Sequence, residues 1–174
     1  FPAKLTDCGA HAFDELSYPG DSIKQEYKED ILVGYRWHDT KKIPALFPFG
    51  HGLSYTTFTY GKPVASAKAM AADGMLTVTV AVKNTGSIAG KEIVQLYVGD
   101  DKCSVLRPVK ELKHFAKVAL APGEEKSVTF TLTPDDLKFY DEASAAWKYE
   151  PGKFKAYVCA SSADVRGVVS FEMQ

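Results

Sequence analysis

Leu76-Thr77-Val78-Thr79-Val80-Ala81-Val82-Lys83 is the run whose reading decides the fold. Leu76, Val78, Val80 and Val82 alternate with Thr77, Thr79, Ala81 and Lys83, the period of a strand with one buried face. Asn84-Thr85-Gly86 follows with turn chemistry. The pattern repeats downstream. Val94, Leu96 and Val98 share one face of the next run, while Ile93, Gln95 and Tyr97 share the other, and Gly99-Asp100-Asp101 then opens a polar loop. Leu112, Ala116, Val118 and Leu120 fall on one face of a third run. After the Pro122-Gly123 turn, Val128, Phe130 and Leu132 alternate with Ser127, Thr129 and Thr131. Phe154, Ala156 and Val158 make a fifth run, and Val165, Val169 and Phe171 a sixth. A first strand is expected near residues 64–70. Asp135-Asp136-Leu137, behind Thr133-Pro134, reads as one short helical turn. Six or seven short strands separated by turns, with no helix-period segment of useful length, indicate an all-β fold, an antiparallel β-sandwich.

Working upstream, the next informative stretch is Phe47-Pro48-Phe49-Gly50-His51-Gly52-Leu53-Ser54-Tyr55-Thr56-Thr57-Phe58. Pro48 fixes its own φ and pushes Phe47 towards extended backbone. Gly50 and Gly52 permit tight geometry, so the chain is expected to bend around His51. Burying each of Phe47, Phe49, Leu53, Tyr55 and Phe58 is worth roughly 1.5–3 kcal/mol, which predicts that they are not left in water. The stretch reads as an aromatic anchor that docks a linker onto the β-rich domain. Residues 1–46 lack sustained periodicity, and only Ile31-Leu32-Val33 reads as a short buried strand. A structureless stretch of this length is uncommon inside a compact domain. The expected division is residues 1–60 as linker and remnant of a preceding region, with the anchor at 47–58, and residues 61–174 as the sandwich.

These segments resemble a known family. The string FPFGHGLSYTTF (residues 47–58) resembles the joint between the catalytic part of family 3 glycoside hydrolases (β-glucosidases and relatives) and their C-terminal fibronectin type III-like domain. EDILVGYRW (29–37) is similar to that family's EGIFVGYRYYD run, and FPAKL (1–5) to its FPKKLED opening. RPVKELKHF (107–115), LAPGE (120–124) and KFYD (138–141) match RPxKELKGF, LxPGE and LSFYDE. The match runs through nearly the whole chain in the family's order. The resemblance implies an immunoglobulin/fibronectin type III-like sandwich with an irregular N-terminal linker extension. It implies an accessory domain of a retaining β-glucosidase acting on terminal β-linked glucosides, with that enzyme's catalytic domains as intramolecular partner. It also implies a periplasmic or secreted protein. The start at Phe1, with no leader-like n-region and h-region, is what an excised or processed C-terminal piece would show.

Composition narrows the alternatives. The 174 residues carry 21 Lys and Arg against 22 Asp and Glu, a net charge of −1, which argues against a nucleic-acid partner. No apolar run is long enough to span a membrane. Cys8, Cys103 and Cys159 are odd in number and widely spaced, unlike a disulfide framework or a zinc knuckle. His11, His38, His51 and His114 have no metal-ligand spacing, so no metal and no cofactor is expected. The acid pairs Glu29/Asp30, Asp100/Asp101, Glu124/Glu125, Asp135/Asp136 and Asp141/Glu142 all fall at turns or in the linker, where solvated acids are usual. The family's aspartate nucleophile sits in an SDW-like motif that is absent, as is the acid/base segment, so no catalytic residue is assigned and the chain alone is expected to be inactive. His51 is expected to bond backbone within the linker. Trp37 is expected to pack the joint, and Trp147 to pack a hairpin edge. The alternative reading is an independent carbohydrate-binding or protein-interaction module, for which two adjacent exposed aromatics would speak. A homodimer is a further candidate assembly.

Overall fold

The computed structural model describes residues 1–174. Eleven strands follow one short helix: α1 (Tyr35–Lys41), β1 (Phe58–Tyr60), β2 (Val64–Ala65), β3 (Ala69–Met70), β4 (Leu76–Asn84), β5 (Gly90–Asp100), β6 (Glu111–Leu120), β7 (Glu125–Leu132), β8 (Phe139–Asp141), β9 (Ala146–Lys148), β10 (Gly152–Ser161) and β11 (Asp164–Met173). β4 is the centre of one sheet. β7 pairs antiparallel along one edge of it, and β1 and β2 lie end to end along the other. The second sheet runs β3-β11-β10-β5-β6, antiparallel except where β3 joins β11 in parallel. β8 and β9 form a separate two-stranded ribbon. The Pro134–Leu137 turn is a 3-10 helix, closed reciprocally by the Thr133 and Asp136 side chains.

The core lies between the two sheets. Leu76, Val78, Val80 and Val82 meet Val94, Leu96 and Val98, with Phe154 stacked on Phe171 at 5.7 Å between ring centroids. Two face assignments fail, both at bulges. Leu96 pairs with His114 but Tyr97 pairs with Leu112, so Lys113 is the extra residue and Leu112 turns to the outer face, away from Ala116 and Val118. Val158 pairs with Gly167 but Cys159 with Val165, so Val165 likewise leaves the face of Val169 and Phe171. One inserted residue inverts the side-chain period, and composition carries no sign of it. The first strand expected near 64–70 is instead the two fragments β2 and β3, one in each sheet.

Ile31, Leu32 and Val33 do not form a strand. Asp30 and Gly34 both have positive φ, 56° and 61°, which turns the chain at each end of the trio. The Asp30 carboxylate accepts from the Ile31 N–H at 2.7 Å and the Glu29 carbonyl from Leu32 N–H at 3.0 Å. Leu32 is buried none the less, and the chain runs straight into α1.

Candidate functional site

The joint between the extension and the outer face of the β10-β5-β6 sheet is the one place where polar and aromatic chemistry is concentrated. Alternation explains why it exists. β5 is buried on both faces from Val94 to Gly99, and its outward residues Gln95 and Tyr97 are as buried as its inward ones. The extension covers them. Tyr35 of α1 meets Tyr97 edge-on at 5.5 Å and leans on Phe49 at 5.3 Å. Gln95 donates to the Ala160 carbonyl at 2.9 Å and accepts from the Tyr97 hydroxyl at 2.5 Å. Gly50 sits directly over that amide. A Cβ there would lie 2.2 Å from Gln95 Nε2, and its φ of +80° is itself glycine territory. Next to it, Ser162 N–H donates to the Phe49 carbonyl at 2.8 Å.

One face of α1 pins the helix to the start of β6. Tyr35, Arg36, Asp39 and Thr40 share it, at the i, i+1, i+4, i+5 spacing of a helix face. The Tyr35 hydroxyl accepts from Leu112 N–H at 2.8 Å and Thr40 Oγ1 from Val109 N–H at 3.0 Å. Asp39 pairs with Lys110 at 2.6 Å, both side chains largely buried, and the Lys110 ammonium lies 5.6 Å from the centre of the Tyr97 ring. Arg36 reaches Glu111 at 3.3 Å.

Behind this row, Arg107 is almost wholly buried. It donates to Glu111 at 2.8 Å and to the Leu137 carbonyl at 2.9 Å, and Asp100 lies 3.5 Å away. The run from Arg107 to Leu112 is thus a structural clasp, because each of its charges meets a partner on another segment. Burial alone would push the Glu111 carboxyl up, but the Arg107 hydrogen bond and the charges of Lys113, Arg107 and Arg36 outweigh it and hold it below the ordinary value. A depressed folded value contributes stability above the unfolded value and loses it as pH falls through the folded one. We therefore expect stability to fall between about pH 5 and pH 2, and the Glu111→Gln variant to show a shallower loss there. Urea midpoints across that window check this; parallel curves would refute it.

The Asn84-Thr85-Gly86 turn is also more than a turn. Asn84 is fully buried. It donates to the carbonyls of Ile88 and Leu120 at 2.8 and 3.1 Å, and it accepts from Thr56 Oγ1 at 2.6 Å and Gly86 N–H at 3.0 Å. The end of the aromatic stretch is thereby locked to the sandwich.

The rest of that stretch departs from expectation. Phe58 packs against the core, but Phe47 and Phe49 are half exposed, and Leu53 and Tyr55 are 94% and 97% exposed. This chain supplies no surface to cover them. His51 lies against Phe47, with 5.4 Å between ring centroids, and not on a backbone carbonyl. His38 makes that kind of bond instead, its Nδ1 3.0 Å from the Ile43 carbonyl. Trp37 is buried, 5% exposed, but within the extension itself, edge-on to Phe13 and donating to the Asp7 carbonyl at 3.0 Å. Trp147 packs only edge-on against Tyr140 across the β8–β9 ribbon, at 5.7 Å between ring centroids. It is 64% exposed on β9. Cys159 is buried in the joint, and burial pushes its thiol up to about 12. A groove of about 730 Å³ opens beside α1, lined by Phe1, Tyr35, Trp37, Phe47, Phe49 and His51 among others.

The acid pairs are spread over the molecule and engaged locally. Asp101 meets Lys155 at 2.7 Å, Glu124 accepts from Ala121 N–H at 2.7 Å, and Asp141 meets Lys148 at 2.5 Å. The joint can hold two segments together.

Comparison with known proteins agrees with this architecture. Residues 92–162 match the fibronectin type III-like domain. The chain is 66% identical over 172 residues to β-glucosidase BoGH3A of Bacteroides ovatus, and 50% identical over 165 residues to thermostable β-glucosidase B of Acetivibrio thermocellus. These alignments cover 99% and 95% of this chain but only 23% and 21% of those proteins. Among solved structures, DesR, a β-glucosidase from Streptomyces venezuelae, superposes over the full chain with a TM-score of 0.91 at 40% identity, covering 22% of that protein. β-Glucosidase 3B from Thermotoga neapolitana superposes over 99% of the chain with a TM-score of 0.86 at 34% identity, covering 23% of that protein. The chain spans less than a quarter of the length of these relatives. Fold and match define the class: this is a fibronectin type III-like domain with an N-terminal extension. Within that class, the chain is similar to a segment of less than a quarter of each of these β-glucosidases.

Proposed function

We propose that the chain is the C-terminal accessory domain of a family 3 glycoside hydrolase, a retaining β-glucosidase acting on terminal β-linked glucosides, and that it braces the catalytic domains through its extension. Residues 1–60 form the linker and 61–174 the brace. One observation carries this reading. The extension is clasped to the sandwich, yet it also carries groups this chain leaves unsatisfied. Leu53, Tyr55 and Ile23 are each more than 90% exposed, and Ser17 Oγ and Glu29 Oε2 are buried without a hydrogen-bond partner. Large exposed apolar side chains and orphaned polar atoms together mark a surface completed by something else. The chain's share of its relatives' length supplies a candidate, the remainder of one polypeptide.

The test uses the contrast between the chain and the longer enzyme. Leu53→Asp with Tyr55→Asp should leave the Tm of the 174-residue chain within about 2 °C, since both side chains already face water. In the full polypeptide the same pair should lower Tm by several degrees and reduce turnover of an aryl β-glucoside. The chain alone should show no turnover. A neutral effect in the full polypeptide, or concentration-dependent turnover by the purified chain, would defeat the proposal.

A further inference from the structure

The outer face of β5 and β6 carries apolar surface of its own, next to the joint. Gln95 pairs with Phe115, Ile93 with Lys117 and Lys91 with Ala119. Residues two apart share a face, so Lys91, Ile93, Phe115 and Lys117 all lie on the side that Gln95 occupies. The extension stops short of them. Gly50 covers Gln95, but Phe115 is 69% and Ile93 43% exposed. Leu53 borders the same area, because it shares with Lys91 and Ile93 the walls of a groove of about 400 Å³. Leu53, Ile93 and Phe115 thus make one patch, to which the extension and the sheet both contribute. Single exposed apolar side chains are ordinary on a protein surface; a contiguous group of them is not.

The rim of this patch is basic and uncompensated. Lys91 and Lys117 are exposed, and neither meets a carboxylate. The nearest acids are already engaged. Glu92 lies on the other face of β5 and accepts from the Tyr60 hydroxyl at 2.7 Å, and Asp164 holds Arg166 at 2.7 Å. Lysine on an edge strand guards that edge, which accounts for Lys117, but β5 is an inner strand, so Lys91 has no such role. An apolar centre with free cations at its rim fits a surface with an apolar centre and carboxylates at the rim. A second copy of this chain does not have that form. A two-fold contact sets the same patch against itself and would bring the lysines of both copies together with no free acid to meet them. The remainder of one polypeptide is the occupant that remains, and Leu53 joins this patch to the surface already assigned to it.

We infer that the Ile93–Phe115 face, with Lys91 and Lys117 at its rim, docks an acid-rimmed apolar surface on the remainder of the polypeptide. The sandwich itself, and not the extension alone, then meets the catalytic domains. The inference rests on the proposed function for its partner, and its test is arranged so that the two can fail separately.

Amine labelling, read peptide by peptide by mass spectrometry, needs no substitution. Lys91 and Lys117 should label about tenfold or more slowly in the full polypeptide than in the 174-residue chain, as burial in an interface requires. Lys83, exposed on the other sheet, is the control and should label alike in both. A carbodiimide, which joins an amine directly to a carboxylate, should link Lys91 or Lys117 to an Asp or Glu outside residues 1–174. Phe115→Asp should leave the Tm of the chain within about 2 °C and lower that of the full polypeptide by several degrees. Lys91→Glu with Lys117→Glu should also lower the latter, and less so at about 1 M salt, where charges are screened beyond about 3 Å. Equal labelling in chain and full polypeptide would overturn the inference. If the Leu53→Asp, Tyr55→Asp pair still lowered the Tm of the full polypeptide, the proposed function would stand without it. Cross-links found only between two copies of the chain would reassign the face to self-association and overturn it as well.

Discussion

Replacing Lys110 with Ala should destabilise the chain by about 3–5 kcal/mol, because it strands the Asp39 carboxylate in a largely buried position. The native pair is 2.6 Å apart, with side chains 9% and 14% exposed. Lys110 also supplies the cation beside the Tyr97 ring, and its loss removes that contact with the pair. For a chain of this size the change corresponds to a fall in Tm of about 10 °C. The argument makes a sharper demand on the double variant. Lys110→Met combined with Asp39→Leu removes both charges and should recover most of the loss, since a buried pair replaced by apolar side chains is often neutral. Urea unfolding of the three proteins gives the comparison. A Lys110→Ala effect under about 0.5 kcal/mol would place the pair among ordinary surface ion pairs.

Asn84→Ala should cost about 3 kcal/mol, for a different reason. The side chain is fully buried and makes four hydrogen bonds, joining the aromatic stretch, the turn after β4 and the end of β6. Truncation leaves two carbonyls and two donors without it, and each group that stays dry costs about 1–3 kcal/mol. Asn84→Asp, nearly the same in volume, separates hydrogen bonding from packing. It keeps the acceptor for Thr56 and Gly86 but presents an anionic oxygen to the Ile88 and Leu120 carbonyls. We expect it to be no better than Ala at neutral pH. If Asp restored wild-type stability, the volume of the side chain, and not its bonds, would be what the site needs.

Both variants act on the joint, the part of the molecule that decides what the domain can do. A fibronectin type III-like sandwich exposes the outer faces of its sheets unless something covers them. Here the extension buries Gln95, Tyr97 and Cys159, and the clasp residues Lys110, Glu111 and Arg107 meet Asp39, Arg36 and the Leu137 carbonyl, segments far away in sequence. Extension and sandwich are therefore clasped together through this joint.

The strands were legible in the sequence wherever one face met the core and the register ran unbroken. Leu76 to Val82 and Val128 to Leu132 are of this kind, because a period of two with one dry face is a local property of the chain. The aromatic stretch and the family's motifs could be read for the same reason: they are contiguous. Legibility ended where geometry depends on distant residues. The bulges at Lys113 and Arg166 turn Leu112 and Val165 to the outer face, and no local signal marks them. Positive φ at Asp30 and Gly34 converts an apolar trio from strand to turn. The burial of Tyr97 and Gln95 depends on Tyr35, Phe49 and Gly50, roughly 45 to 60 positions away. The sequence by itself determined the sandwich and most of its turns. Only the tertiary structure decided which outward residues are covered, because burial on a strand's second face is set by whatever packs there and not by the strand.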